Sequence, residues 1–292
     1  MKQISVVIVT YNSERLIDEC LNSLFQYNDI GENLEVIIVD NCSLNATSFL
    51  QRVNRLYPSV ITIENSGNNG YGQGNNVGIM AAKASIVMIM NPDVRLKEPI
   101  FKRALELYNT NNKLILLGMQ QFQSLSLSSL SYCCDWLSSN CFTMLLDKLL
   151  NKYNIFIPKF QYIAGACFFI KKYEFEQIGL FDEHIFMYGE EVDVKRRLQK
   201  QYGTYCIRYA PKLSYIHLIH GRQTSFNSFK CSIDSLEYLC NKYNCEIKSC
   251  LKNQKGLLKV LRYWYKIKKD VNKVEYFSNC IDELNKRVEN IS

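Results

Sequence analysis

The chain has 292 residues, of which 47% are hydrophobic and 22% charged, with a formal net charge of +7. That is enough apolar material for one large core with an appendage, and it excludes a disordered chain. No apolar run reaches the ~18 residues of a spanning helix, and the opening MKQISVVIVTYNSE is too short and too strand-like for a secretory signal. The expected location is the cytoplasm. The twelve cysteines include no C-x-x-C pair, and the regular set Cys240, Cys245 and Cys250 is spaced by five, which is not a zinc pattern. Without a secretory route they read as free thiols behaving as small hydrophobes. The basic excess is local: from Phe226 onward there are 13 Lys and Arg against 8 Asp and Glu.

In chain order, ISVVIVT (4–10) is a continuous β-branched run, the signature of a strand buried on both faces. Ser13 is placed as the N-cap of a helix whose Ile17, Cys20, Leu21 and Leu24 fall at helical spacing. EVIIVD (35–40) is a second buried strand, followed by a helix near 46–56 and a strand at 60–65. A Gly/Asn loop then runs from Ser66 to Gly74 and leads into a helix near 75–84. SIVMIMN (85–91) is a fourth strand, stopped by Pro92, which has no N–H for the next ladder bond. This alternation predicts an α/β protein with a largely parallel sheet. Beyond about 120 the pattern loosens, and 124–142 is left without an assignment. A strand at 162–172, a short helix and turn, a helix at 191–202 and a strand at 204–211 follow. From Phe226 the pattern is helical, so the expected division is 1–225 and a helical extension, 226–292.

Three polar clusters end the predicted parallel strands: Thr10-Tyr11-Asn12, Asp40-Asn41-Cys42-Ser43 and Asn91-Pro92-Asp93. Each alone is ordinary turn chemistry. Together they mark the sheet edge where open α/β folds bind nucleotides. The loop NNGYGQGNNVG (68–78) departs from the dinucleotide fingerprint in spacing and follows the third strand, but its glycines let backbone N–H groups approach an anion or a sugar. Glu190, Glu191 and Asp193 open a predicted helix. Acidic residues there suit the helix dipole, and close carboxylates also raise one another's pKa, which favours a general base.

With these segments in hand, the chain resembles a family 2 glycosyltransferase with a GT-A fold, in the bacterial rhamnosyltransferase-like branch. SVVIVTYNSERLIDECLNSL, VIIVDNCS, NNGYGQGNNVG, MNPDV, GLFDEHIFMYGEEVDVKRR and APKLSYIHLIHG resemble that family's motifs in its own order, from about residue 3 to about 225. The resemblance implies a Rossmann-like nucleotide-binding sheet with helices on both faces. It implies donor contacts from Thr10, Asn12, Asp40, Asn68, Gly70, Asn76 and Asn91, and a divalent metal, Mg or Mn, at Asp93 with His217. Glu191 would be the catalytic base with Glu190 as its rival, and Asp193, Arg197 and His220 would support the acceptor side. Two departures stand out: Asn91 replaces the first Asp of D-x-D, and Glu191 stands where many relatives have Asp. The implied reaction is an inverting transfer of a sugar, rhamnose from dTDP-rhamnose being favoured over a UDP-sugar, onto a glycan or polyprenyl-linked acceptor in surface polysaccharide synthesis. A non-catalytic sugar-nucleotide-binding homologue is the alternative. A nucleotidyltransferase would need a Gly-rich basic loop after the first strand, and TYNSERLIDE is not one.

In the tail, Lys255, Lys259, Arg262, Lys266 and Lys269 repeat at steps of four and three, opposite a stripe of Leu257, Val260, Leu261, Trp264 and Ile267. Such a helix either packs its stripe on the core or lies peripherally on an anionic membrane at its cytoplasmic face. No binding motif or aromatic platform points to nucleic acid.

Overall fold

The computed structural model describes residues 1–218 and 225–291. It opens with β1 (Ile4–Thr10), α1 (Glu14–Gln26), β2 (Leu34–Asp40), α2 (Ala46–Leu56), β3 (Val60–Glu64), α3 (Tyr71–Ala81) and β4 (Ile86–Met90). There follow β5 (Val94–Leu96), α4 (Phe101–Thr110), β6 (Leu116–Phe122), β7 (Tyr132–Cys134) and α5 (Cys141–Lys152). Next come β8 (Gln161–Ile163), β9 (Cys167–Lys171), α6 (Lys172–Gln177), α7 (Glu190–Tyr202) and β10 (Ile207–His217). The chain ends in α8 (Phe226–Lys242), α9 (Ile247–Ile267) and α10 (Val271–Asn290).

Eight strands form one sheet in the order β3-β2-β1-β4-β9-β6-β10-β5. The first four are mutually parallel. The sheet as a whole is mixed rather than largely parallel, because β9 runs against both β4 and β6, and β5 runs against β10. The continuous apolar runs follow from burial on both faces. Along β1, Ile4, Val6 and Ile8 join a core with α1, α2 and α4, while Val7 and Val9 join a second core with α3, α6 and α7.

Four sequence expectations are revised. Helix α3 begins at Tyr71, inside the segment read as a loop, and three of its glycines are helical. Gly74 lies so close to the sheet that a Cβ would sit 2.5 Å from Asn41 Oδ1 and 2.8 Å from Val9 Cγ1. The glycines are therefore there for close packing. Gly74→Ala is expected to cost about 1–3 kcal/mol in chemical denaturation, because overpacking outweighs the better helix propensity of Ala. The 162–172 segment is two strands, with β8 pairing β7 in a small separate sheet and residues 164–166 bridging to β9. Strand β10 extends past Pro211, which the ladder absorbs as a bulge between Ala210 and Ser214.

In the tail, the buried residues of α9 are Cys250, Leu251 and Leu258. They share a third core with α8, α10, Leu137, Ile185 and Val192. Val260, Trp264 and Ile267, from the predicted stripe, are exposed. All twelve cysteines carry free thiols.

Candidate active site

A cleft of about 690 Å³ opens at the carboxyl-end edge of β1, β4, β6 and β10. Tyr11, Asn41, Asn91 and Pro92 form one side of it from the strand ends. Phe186, Met187, Tyr188, Glu190 and Glu191 form another from the entry to α7. Asn68, Gly70 and Tyr71 border it at the start of α3, and Ala164–Ala166 border it from the β8–β9 bridge.

The α7 entry is held in place by backbone geometry. Gly189, at the N-cap, has φ 94°, a left-handed conformation that favours glycine. Gly70, with φ 101°, lies against the backbone of Phe186, and Tyr71 N donates to Phe186 O at 2.9 Å. Glu190 is buried, and its Oε1 has no hydrogen-bond partner among the described residues. Burial pushes its carboxyl well above the usual range, and the neighbouring Glu191 charge pushes it further. Burial also raises Glu191, but backbone N–H groups at Glu191 and Gly165 oppose that shift. Backbone N–H groups at Glu190 and Tyr188 likewise oppose the rise at Glu190, and both carboxyls stay above the usual range. Gly165 has no room for a side chain, since a Cβ there would overlap the Glu191 carboxylate. Its carbonyl accepts from Tyr71 Oη at 3.1 Å.

At the opposite rim, antiparallel pairing of β5 and β10 sets His217 beside Val94. His217 Nε2 lies 3.3 Å from Asp93 Oδ1, and both residues are buried. Neither ring nitrogen of His217 makes a hydrogen bond among the described residues, and the same holds for the buried Asn91 Oδ1. The His217 ring and the Asn91 oxygen, both bordering the cleft beside the Asp93 carboxylate, fit a divalent cation that also takes oxygen ligands from a phosphate. Among the described residues there is no group of three His, Cys, Asp or Glu that could enclose a metal alone.

Other expected site residues stand elsewhere. Asp40 is fully buried with both oxygens occupied: Thr10 Oγ1 and Ser43 Oγ each donate to Oδ2 at 2.8 Å, and Ser43 N donates to Oδ1 at 2.8 Å. Asp40 and Thr10 therefore brace the strand-end turn from within, and the next residue, Asn41, is the one that reaches the cleft. Asn12 closes the same turn, its N–H donating to Ser43 Oγ at 2.8 Å and its Oδ1 accepting from Leu44 N. Asn76 faces away from the cleft and clamps the 181–183 segment, donating to Phe181 O and accepting from Phe181 N, each at 3.0 Å. Asp193 is fully buried beneath α7, where it accepts from Arg197 Nε at 2.7 Å, Lys242 Nζ at 2.5 Å and Tyr243 Oη at 2.6 Å. His220 lies outside the described residues.

Sequence reasoning missed Asn41, Tyr71, Gln121 and Gly165. Asn41 sat in a quoted cluster and needed only the in–out alternation past a strand end. Gln121 and Gly165 come from strands that the sequence read loosely or merged.

Residues 5–128 match the model of Glycosyl transferase family 2. The chain is 26% identical over 206 residues to the low-salt glycan biosynthesis hexosyltransferase Agl10 of Haloferax volcanii, covering 69% of this chain and 63% of that one. It is 24% identical over 261 residues to the rhamnosyltransferase WbbL of Escherichia coli, covering 81% and 92%. The poly(ribitol-phosphate) glycosyltransferases among the curated relatives are much longer, and the match spans only 19–21% of them. Among solved structures, the mannosyltransferase PcManGT of Pyrobaculum calidifontis, in complex with GDP-Man and Mn2+, superposes with a TM-score of 0.60 at 15% identity over 80% of this chain and 61% of that one.

Proposed function

We propose that this chain, which belongs to the family 2 glycosyltransferases and has the GT-A arrangement of its sheet, transfers a sugar from a nucleoside-diphosphate donor to an acceptor hydroxyl with inversion. The observation that carries the reading is one cleft with two chemically distinct rims, a carboxylate pair on α7 and His217 with Asn91, His217 being backed by Asp93. The strand-end rim receives the diphosphate and the α7 rim faces the acceptor.

The transfer is a single displacement. Ionised Glu191 accepts the proton of the acceptor hydroxyl as its oxygen bonds to the anomeric carbon. The bond from that carbon to the phosphate oxygen breaks, and the nucleoside diphosphate leaves with the electron pair. Asp93 and His217 would hold Mg2+ or Mn2+ together with diphosphate oxygens, and when bound the cation neutralises the charge that gathers on the leaving group. Asn41, Asn68 and Gly70 border the donor.

Rhamnose from dTDP-rhamnose is the favoured donor, on the strength of the likeness to WbbL along most of both chains. The acceptor is a glycan, free or polyprenyl-linked, met at the cytoplasmic side of a membrane. Calorimetry with dTDP, UDP, GDP and CDP, each with and without Mn2+ or Mg2+, tests the reading. Selective, metal-dependent binding of one of them is expected, and Asp93→Ala should remove most of the metal-dependent part. Absence of binding under every condition would overturn the function. Selective binding with neither transfer nor donor hydrolysis would favour a non-catalytic homologue, a reading motivated by Asn91 in the metal motif.

A further inference from the structure

Helix α5 has an apolar face that nothing among the described residues covers. Phe142, Leu145 and Leu149 recur at one-turn spacing and are 71%, 66% and 52% exposed. The chain that leaves the helix continues the pattern, with Tyr153, Ile155 and Phe160 all exposed. Single exposed apolar residues are ordinary, but a contiguous run of this size marks an interaction site. Helix α9 adjoins α5, with Gln254 Nε2 donating to Ser139 Oγ at 2.8 Å just before α5 begins. The far half of α9 exposes Trp264 (53%) and Ile267 (60%).

The charge around these residues has one sign. Lys148, Lys152 and Lys159 are exposed among the α5 residues, as are Lys259, Lys266 and Lys268 on α9. Residues 247–269 contain no Asp or Glu. The only acid in 141–160 is Asp147, which is buried and accepts from Cys134 N at 2.9 Å. Several of these lysines sit on aromatic rings at the same surface: Lys152 Nζ is 5.5 Å from the Tyr153 ring centre, Lys159 Nζ 5.6 Å from that of Phe160, and Lys268 Nζ 4.9 Å from that of Trp264. Aromatic rings beside lysines, backed by aliphatic side chains, suit the boundary between lipid headgroups and acyl chains. A second copy of the chain is the poorer occupant, because it would set lysines against lysines with no acids between them.

We propose that α5, the 153–160 segment and the far half of α9 form one surface that seats the protein on an anionic bilayer. No helix among the described residues is long and apolar enough to cross a membrane, so the contact is peripheral, with rings and aliphatic tips at the acyl boundary and lysines on acidic headgroups. The surface connects directly to the chemistry: β8 follows the 153–160 segment and runs into Ala164–Ala166, which border the cleft beside Glu191. An acceptor carried by a lipid in that bilayer would thus be met on the Glu191 side. The membrane contact stands apart from the transfer reading, because it is measured without turnover.

The test is co-sedimentation of the full chain with vesicles of phosphatidylcholine alone and of phosphatidylcholine with phosphatidylglycerol, at low and high salt. Binding to the anionic vesicles, weakened by salt, is expected. The triple variant Phe142→Ser, Leu145→Ser, Leu149→Ser should bind roughly tenfold or more weakly, and the double variant Lys148→Glu, Lys152→Glu several-fold more weakly. These side chains are exposed, so unchanged circular dichroism is the control for folding. Wild-type protein that stays in the supernatant with anionic vesicles, or a triple variant that sediments as the wild type does, would overturn the proposal. So would concentration-dependent dimers in analytical ultracentrifugation that the triple variant abolishes, since they would give the surface to a second copy.

Discussion

Glu191→Gln is expected to lower kcat by about 10²- to 10⁴-fold, the usual contribution of a positioned general base, while donor affinity in calorimetry changes little. Glu190→Gln should keep most of the activity, because Glu190 takes no proton in the proposed transfer and Gln has the same shape. The two variants therefore separate neighbouring carboxylates with the same composition and different duties. The pH dependence follows from the shifts. Both carboxyls are raised, so the base form is gained as pH rises, and the acid limb of kcat/KM lies above the ordinary carboxylate range. For stability the sign is opposite. A carboxyl whose folded pKa is raised contributes stability below its unfolded pKa and loses it as pH rises through the folded one. Glu190→Gln should therefore be more stable than the wild type on the alkaline side, and urea titrations at several pH values would show it. Equal loss of kcat in both variants would remove the division of roles between them.

Lys242→Met is expected to destabilise the protein by about 3 kcal/mol and to lower activity although Lys242 does not border the cleft. Lys242 Nζ lies 2.5 Å from Asp182 Oδ2 and 2.5 Å from Asp193 Oδ1, and Asp193 is fully buried. Breaking a buried ion pair from one side leaves an uncompensated charge, which costs about 3–5 kcal/mol. The lower end applies here because Arg197 and Tyr243 still reach Asp193. Burial works to raise the Asp182 carboxyl, but hydrogen bonds from Lys242, Tyr238 and His184 outweigh it and hold the group well below the usual range. A depressed carboxylate contributes stability above its unfolded pKa, and that contribution is lost as pH falls through the folded one. The wild type should thus lose an acid-sensitive increment that Lys242→Met largely lacks, visible as a flatter stability profile below about pH 4. Asp193 lies three residues beyond Glu190, and Ser235 Oγ donates to Met187 O at 2.9 Å, so α8 fixes the α7 end of the cleft at two points. The activity loss should appear in kcat more than in donor affinity. Wild-type stability in Lys242→Met would show that the ion pairs contribute nothing net.

β1, β2 and β4 were legible because a strand buried on both faces is largely apolar along its length, and these three are. Helix α3 was misplaced because Gly and Asn spread around it instead of forming an apolar stripe. Its packing depends on the absence of side chains, which periodicity cannot register. The strand at 204–211 was cut at Pro211 by a rule that holds for regular ladders and fails at a bulge. The small β7–β8 sheet pairs residues 27 to 31 apart with three-residue strands, too short to alternate visibly. The site was legible as strand-end clusters and an acidic helix start. The direction of each side chain was not: Asp40 turns inward to Thr10 and Ser43, and Asn76 turns to Phe181, because partners distant in sequence decide where a polar group points. The tail was read with a single apolar stripe, either packed or lying on a membrane, but a helix can bury one apolar residue and expose the next, and Leu258 and Val260 do that.

The reversed direction of β9 has a consequence for how the molecule can vary. Strand β6 ends at the cleft edge, and β9, antiparallel to it, begins at that same edge. The intervening chain, residues 123–166, leaves and returns through one doorway without crossing to the far side of the sheet. Its length and content can change without rethreading any of the four parallel strands β3-β2-β1-β4, so this stretch is a replaceable cassette hung on a fixed frame.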